Sequence, residues 1–168
     1  MADSDSNIDV NVRSDSDWIA HTVGRCARCG APTRLVALAL PPSHQSLLLD
    51  ADVGQTQVDC WESASASAFL FYVEYLPEPV QRRVAAFCRA YRFAFSERSL
   101  GWYWANHCET CGVLLDDHEL FCEPEGPFLP PSAESASAVM FVRIEETLEA
   151  AASGYACEPQ FFDAMVAS

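Results

Sequence analysis

Apolar residues in this chain come in short dense runs separated by turn-forming residues, the signature of strands, and only one stretch carries a helical period. Trp18–Val23, Leu35–Leu40, Phe69–Tyr75, Leu100–His107 and Val113–Leu115 read as strands, with Pro41-Pro42 stopping the second. Leu47-Leu48-Leu49, followed by Asp50, Asp52 and Gly54, reads as a short strand and a turn within 47–59. From Glu78 to Tyr91, Val80, Val84, Phe87, Cys88 and Tyr91 recur at spacings of three and four, and Pro79 suits a first turn. This predicts a helix that buries Val84, Phe87 and Cys88 and exposes Arg82, Arg83 and Arg89. Val139–Ile144 is expected to be a strand running into a helix over Glu145–Ala152. Met1–Asp17, dominated by Asp and Ser, has too little apolar surface to offset ordering entropy, so 1–17 is expected to be a disordered acidic tail and 18–168 a single domain. The pentad Glu-Ser-Ala-Ser-Ala at 62–66 and 134–138 is a coincidence of low-complexity residues rather than a duplication.

Two strand-flanked tetrads carry the chemistry: Cys26-Ala27-Arg28-Cys29-Gly30 and Cys108-Glu109-Thr110-Cys111-Gly112. Each puts two thiols on one side of a tight turn, and the glycine tolerates the positive φ such a turn needs. Four sulfur ligands with no open position point to one structural zinc ion held by Cys26, Cys29, Cys108 and Cys111. A thioredoxin-like dithiol fits less well, because redox motifs sit singly at a strand-to-helix turn. Between Cys29 and Cys108 lie 78 residues, against roughly 12 to 20 in a compact ribbon. The expected fold is therefore α+β, with antiparallel strands around one zinc-ribbon-like site and a helix-bearing insertion between its halves. Arg25 and Arg28 could offset the charge of a tetrathiolate centre, while Cys60, Cys88, Cys122 and Cys157 share no ligand spacing.

Charge narrows the partners. The net charge of −14 is spread as −4 over 1–24, zero over 25–111 and −10 over 112–168. Such a chain repels a polyanion, so nucleic acid is not the expected partner. All ten cationic residues are Arg, a usage that resembles the coding of a GC-rich bacterial genome. The first residues offer neither a basic nor an apolar leader segment, and no run of about 18 apolar residues occurs. A cytoplasmic protein with reduced cysteines and no membrane span is expected.

The order of motifs resembles a group of uncharacterised bacterial zinc-ribbon-containing proteins. Shared features are a first Cys-x-x-Cys knuckle followed by an apolar strand (Cys26 to Leu40), an aromatic-x-x-Asn-x-Cys-x-x-Cys-Gly knuckle (Tyr103 to Gly112), an Asp-containing turn (Asp117 to Leu120) and a Glu-Pro-x-Gly-Pro-Phe loop (Glu123 to Phe128). The resemblance covers roughly residues 24–130 and implies a zinc-binding fold without an established activity. This chain has Asp116 where those relatives have Gly before the turn aspartate.

His107, Asp116, Asp117, His118 and Glu119 invite a catalytic or second-metal reading, but a polar turn beyond a knuckle accounts for them and no nucleophile or spaced His pair accompanies them. No catalytic residue is assigned. Trp102, Tyr103 and Trp104 read as a core-facing aromatic strand rather than a base-stacking platform. The expected function is a non-catalytic binding protein for a basic protein partner, with an inhibitor or immunity-type role. Asp116, Asp117, Glu119, Glu123 and Glu125 are its expected contacts. The alternatives are a nucleic-acid-associated ribbon using Arg82, Arg83, Arg89, Arg92 and Arg98, and a metal-dependent enzyme centred on Asp117 and His118. Oligomeric state is left open.

Overall fold

The computed structural model describes residues 9–48, 60–129 and 133–157. The expected apolar runs are strands: β2 (Asp17–Arg25), β3 (Pro32–Leu40), β6 (Ala68–Tyr75), β8 (Gly101–His107), β9 (Leu114–Leu115) and β10 (Met140–Ile144). The short strand expected at Leu47–Leu49 is β4 (Gln45–Leu48), and β1 (Val12–Ser14), β5 (Cys60–Ser63), β7 (Tyr91–Ser96) and β11 (Leu148–Cys157) are added. They form an 11-stranded sheet ordered β10-β2-β3-β6-β11-β1-β4-β5, and β8 branches from β6 to carry β7 and β9. Every pairing is antiparallel.

The central strands are covered on both faces. Ile19, Val36, Leu38, Leu40 and Leu70 pack with Val12, Leu148, Val80 and Val84 on one side. Trp18, Ala20, Ala37, Ala39 and Phe69 pack with Phe121, Phe128, Val139 and Phe141 on the other. Two-sided burial explains why Leu35–Leu40 is apolar at every position instead of alternating.

Helix α1 (Glu78–Phe87) begins after Pro77, with Pro79 in the first turn where its missing N–H costs nothing. Val84 and Cys88 are buried and Arg82 and Arg83 exposed, as the period predicts, with Val80 buried too. The helix stops at Phe87, however, and Tyr91, its expected end, opens β7 instead. Phe87 is only half-buried. It is the last helical residue, and its ring lies edge-on to His21 at 4.8 Å and beneath the Arg34 guanidinium at 5.2 Å.

Three expectations are corrected. The protein is a β-rich antiparallel fold, not α+β with a helix-bearing insertion. The chain between Cys29 and Cys108 contains β3 to β8, which build the body of the sheet, with α1 as one ten-residue helix packed on it. The expected helix over 145–152 is instead the entry to β11, paired on both edges by β6 and β1. There Ala150, Ala151 and Ala152 are buried, and pairing outweighs the helix preference of alanine, which is worth less than about 1 kcal/mol per residue. Order also begins earlier than Trp18, because Val12–Ser14 pairs with β11 and β4 and Val12 is fully buried. The expected turn at Asp50–Gly54 and the first part of the expected tail lie outside the described residues. Among the described residues, no helix is long and apolar enough to cross a membrane.

Asp17, the first residue of β2, is 0% exposed, and neither carboxylate oxygen has a partner. Burial, reinforced by nearby Glu146, pushes this carboxyl up to about 7. Folding thus favours the protonated acid: its contribution is whole below the unfolded value of 3.8 and is lost as pH rises towards about 7. Asp17→Asn is expected to be more stable than the parent at pH 8 by about 1–3 kcal/mol, with the gap shrinking towards pH 5. Urea unfolding at both pH values checks this, and a gap independent of pH would refute it.

Candidate metal centre

Both knuckles are hairpin tips of the same construction. β2 and β3 pair to Arg25↔Pro32, leaving Cys26–Ala31 as the loop, and β8 and β9 pair to His107↔Leu114, leaving Cys108–Val113. In each loop the first cysteine donates its N–H to the residue five further on, Cys26 to Ala31 at 2.9 Å and Cys108 to Val113 at 2.9 Å. The glycine amide returns to that cysteine's carbonyl, Gly30 to Cys26 at 2.8 Å and Gly112 to Cys108 at 2.9 Å. Gly30 and Gly112 hold φ of 71° and 74°, the left-handed turn anticipated from the sequence.

The four sulfurs lie within 4.8 Å of one another and could hold a metal ion. Cys26 Sγ is 3.7 Å from Cys111 Sγ, and Cys29 Sγ is 3.6 Å from Cys108 Sγ. Tetrahedral bonds of about 2.3 Å to sulfur place the sulfurs about 3.8 Å apart, so these spacings match the edges of a tetrathiolate tetrahedron. None of the four is in a disulfide. Cys26 and Cys108 are buried and Cys29 and Cys111 exposed, so the site is half-sunk between the hairpins.

Ionisation of the set is uneven. The Cys111 amide, 3.5 Å from Cys108 Sγ, favours its thiolate and holds Cys108 down at about 6. The Cys26 thiol is lowered too, first by the Cys29 amide. At Cys29 the Ala31 amide favours the thiolate, but desolvation and the three neighbouring sulfurs outweigh it and raise the thiol to about 11. Four thiolates at this spacing repel one another unless a cation sits among them, which is the chemistry a divalent ion supplies.

Contacts around the cysteines join the hairpins. Arg34 N–H donates to Glu109 Oε2 at 3.0 Å, and Glu109 N–H donates to Thr33 Oγ1 at 3.0 Å. Arg25 bonds the Gly30 carbonyl at 3.2 Å. Asn106, 1% exposed, acts as a peptide unit in side-chain form: its Oδ1 accepts from Val36 N–H at 2.8 Å and its Nδ2 donates to Val36 C=O at 2.9 Å. It bridges β3 and β8, which share no backbone ladder. The motif quoted above contains this Asn, yet its partner could not be read from spacing. His107 is buried beside the site with Nδ1 against the carbonyls of Ala105 and Ala90, at 3.0 and 3.1 Å. Burial, then Arg92, lowers its pKa.

Asp116 and Asp117 are not surface acids. Asp116 accepts from Tyr72 Oη at 3.1 Å, Tyr103 Oη at 3.4 Å, Ser96 Oγ at 3.4 Å and the His118 amide at 2.9 Å. Asp117 Oδ2 accepts from the amide of Tyr72 at 2.7 Å, where the backbone has turned to φ 50°. Burial pushes Asp117 up to about 7, the Tyr72 amide opposes this and Asp116 adds to it. At 2% exposure Asp117 is walled off from substrate, and its work is to hold a strained strand position. His118 and Glu119 are exposed, and Glu119 pairs with Arg98 at 2.7 Å. The five polar residues are thus split between interior and surface instead of forming one site.

Comparisons with family models, with curated proteins and with solved structures give no match. The class this chain defines is therefore stated from its own geometry: a β-rich protein with a four-cysteine group able to hold a metal ion.

Asn106→Ala leaves the Val36 N–H and C=O buried without partners and is expected to cost about 2–4 kcal/mol. Asn106→Asp should cost at least as much, since a carboxylate cannot donate to the carbonyl. Denaturant unfolding checks both, and a loss below about 0.5 kcal/mol for either would show that water replaces the amide freely.

Proposed function

We propose that the protein is a non-catalytic binding protein whose two hairpins are held by one structural zinc ion, and that it engages a basic protein partner in the cytoplasm. The sulfur spacing carries the metal half of this reading: 3.6 and 3.7 Å edges suit zinc–thiolate bonds, and four protein ligands leave no open position for catalysis. The same tetrahedron would accept iron, so the metal must be measured. Purified protein is expected to contain one zinc per chain by elemental analysis. Cys108→Ser and chelation should lower the melting temperature to a similar extent, with zinc restoring only the chelated parent. Iron in place of zinc would reassign the site, and a metal-free chain whose stability zinc does not change would remove it.

The binding half rests on charge. The Arg residues that a nucleic-acid reading would use are largely neutralised in place: Arg82 pairs with Glu78, Arg83 with Glu146 and Arg98 with Glu119. The formal net charge of the chain is −14, with Asp17, Asp116 and Asp117 among its acids drawn inside. Because Asp116 and Asp117 are interior, the loop acids offered to a partner reduce to the exposed Glu123 and Glu125, with Glu119 already paired. An acidic surface steers a basic partner and repels polyanions. A partner recovered from the native cell by pull-down is expected to be basic and to bind more weakly as salt rises. Glu123→Gln/Glu125→Gln should slow its association while the metal stays bound. Tight nucleic-acid binding at physiological salt would overturn this reading.

A further inference from the structure

A groove of about 250 Å3 opens between β6 and β8, lined by Tyr72, Glu74, Ser99, Trp102, Tyr103 and Ser153. It exists because the two strands meet at the single register pair Val73↔Trp104, and beside that pair Tyr72 turns out of extended geometry at φ 50°. Three of its walls are aromatic rings, and its one charged lining residue is Glu74. Ser153 Oγ donates to Glu74 Oε1, which fixes the carboxylate, and among the described residues no cation pairs with it.

The rings are held in place by a buried acid. Tyr72 and Tyr103 both donate their hydroxyls to Asp116, at 3.1 and 3.4 Å, and lie edge to face with each other at 5.0 Å. Trp102 is 59% exposed, yet its indole is stacked on Phe93 at 5.7 Å and tilted against Phe95 at 5.8 Å. Electron-rich rings beside an unpaired carboxylate attract a cation by ring quadrupole and by charge together. A neutral ligand would leave Glu74 desolvated and unpaired, and a phosphate or nucleotide would meet the carboxylate and the negative field of the whole chain.

We infer that this groove receives the guanidinium side chain of an arginine in the basic partner. The inference deepens the proposed function and rests on its reading of a basic protein partner. The groove is open rather than enclosed, and the Trp102 indole that walls it also packs on exposed Phe93 and Phe95 of β7, adjoining apolar surface that the residues flanking an arginine could cover. A free amine would leave that strip bare, and it is this continuity that favours a side chain on a polypeptide.

The experiment uses the zinc-loaded full chain and a capped tri-arginine peptide as probe, followed by NMR chemical shifts and titration calorimetry. Shifts are expected at Glu74, Tyr72 and the Trp102 indole. The matched tri-citrulline peptide, of equal shape without charge, should not bind. Glu74→Gln and Trp102→Ala should each weaken binding by about fivefold or more, whereas Glu123→Gln/Glu125→Gln should leave the groove shifts unchanged. Both groove residues are exposed, so neither variant is expected to unfold, and retained zinc confirms it. Binding untouched by both groove variants would reduce the effect to general attraction by an acidic chain and overturn the assignment, as would no binding or equal binding of the citrulline peptide. Arginine amide binding as tightly as the tripeptide would overturn the choice of a polypeptide side chain. The recovered partner separates the two proposals. A basic partner indifferent to Glu74→Gln leaves the general reading standing and removes the groove. Groove binding of tri-arginine with no basic partner in the cell removes the general reading.

Discussion

The arrangement that everything else depends on is the meeting of two hairpin tips through four sulfurs that are 79 and 85 residues apart in their contacting pairs. Closing loops of that length has an entropic cost that rises only slowly with length, so a long separation is no obstacle once the closed state is well satisfied. What the separation demands is that both tips be delivered rigidly. The chain does this by making each tip the end of a paired hairpin rooted in the sheet, β2–β3 on one side and β8–β9 on the other. The sulfurs do not organise a floppy peptide. A metal held among them would clamp two elements already directed by strand pairing.

The four cysteines lie where two neighbouring strands share no ladder. β3 and β8 both lie against β6, the first through Leu38–Leu40 and the second through Val73, and no ladder joins them directly. Asn106 fills that gap with a side-chain amide, and Thr33, Arg34 and Glu109 extend the connection to the knuckles. The acids follow the same division between framework and surface. Asp116 and Asp117 are drawn inside to tie Tyr72, Tyr103 and Ser96, so the excess negative charge that solvent and partners meet is smaller and differently placed than the sequence suggests.

Local pattern was enough for the strands that carry the knuckles and for the Glu78–Phe87 helix, because Leu35–Leu40, Leu100–His107 and the 3.6-residue period there are signals contained in a few neighbouring residues. The paired tetrads were legible for the same reason, each being a complete turn. What failed depended on distant partners. Ala150–Ala152 look helical until β6 and β1 flank them, and Val12–Ser14 looks like tail until Leu148–Ala150 pairs with it. The fold class went wrong by the same route: a 78-residue gap between Cys29 and Cys108 suggested a separate insertion, whereas the gap contains the sheet itself. Asp116 and Asp117 were misread because a polar pair after a turn is ordinarily exposed, and only the register of β6 against β8 brings Tyr72 and Tyr103 to meet them.

Strand β8 shows how closely framework and candidate surface are joined. Its residues alternate as a pleated strand requires. Trp102, Trp104 and Asn106 run along one side, from an exposed indole through a half-buried one to the amide that fastens Val36. Tyr103, Ala105 and His107 run along the other, from the Asp116 network to the Ala90 carbonyl beside the second knuckle. The strand that ends in Cys108 therefore also sets the orientation of Trp102 and Tyr103, so the cysteine clamp and the aromatic groove are two ends of one rigid element. A closed metal site contributes nothing to binding by direct contact in such a design. A metal held there would help fix where β8 lies, and with it Trp102 and Tyr103, while Tyr72 and Glu74 are set by β6.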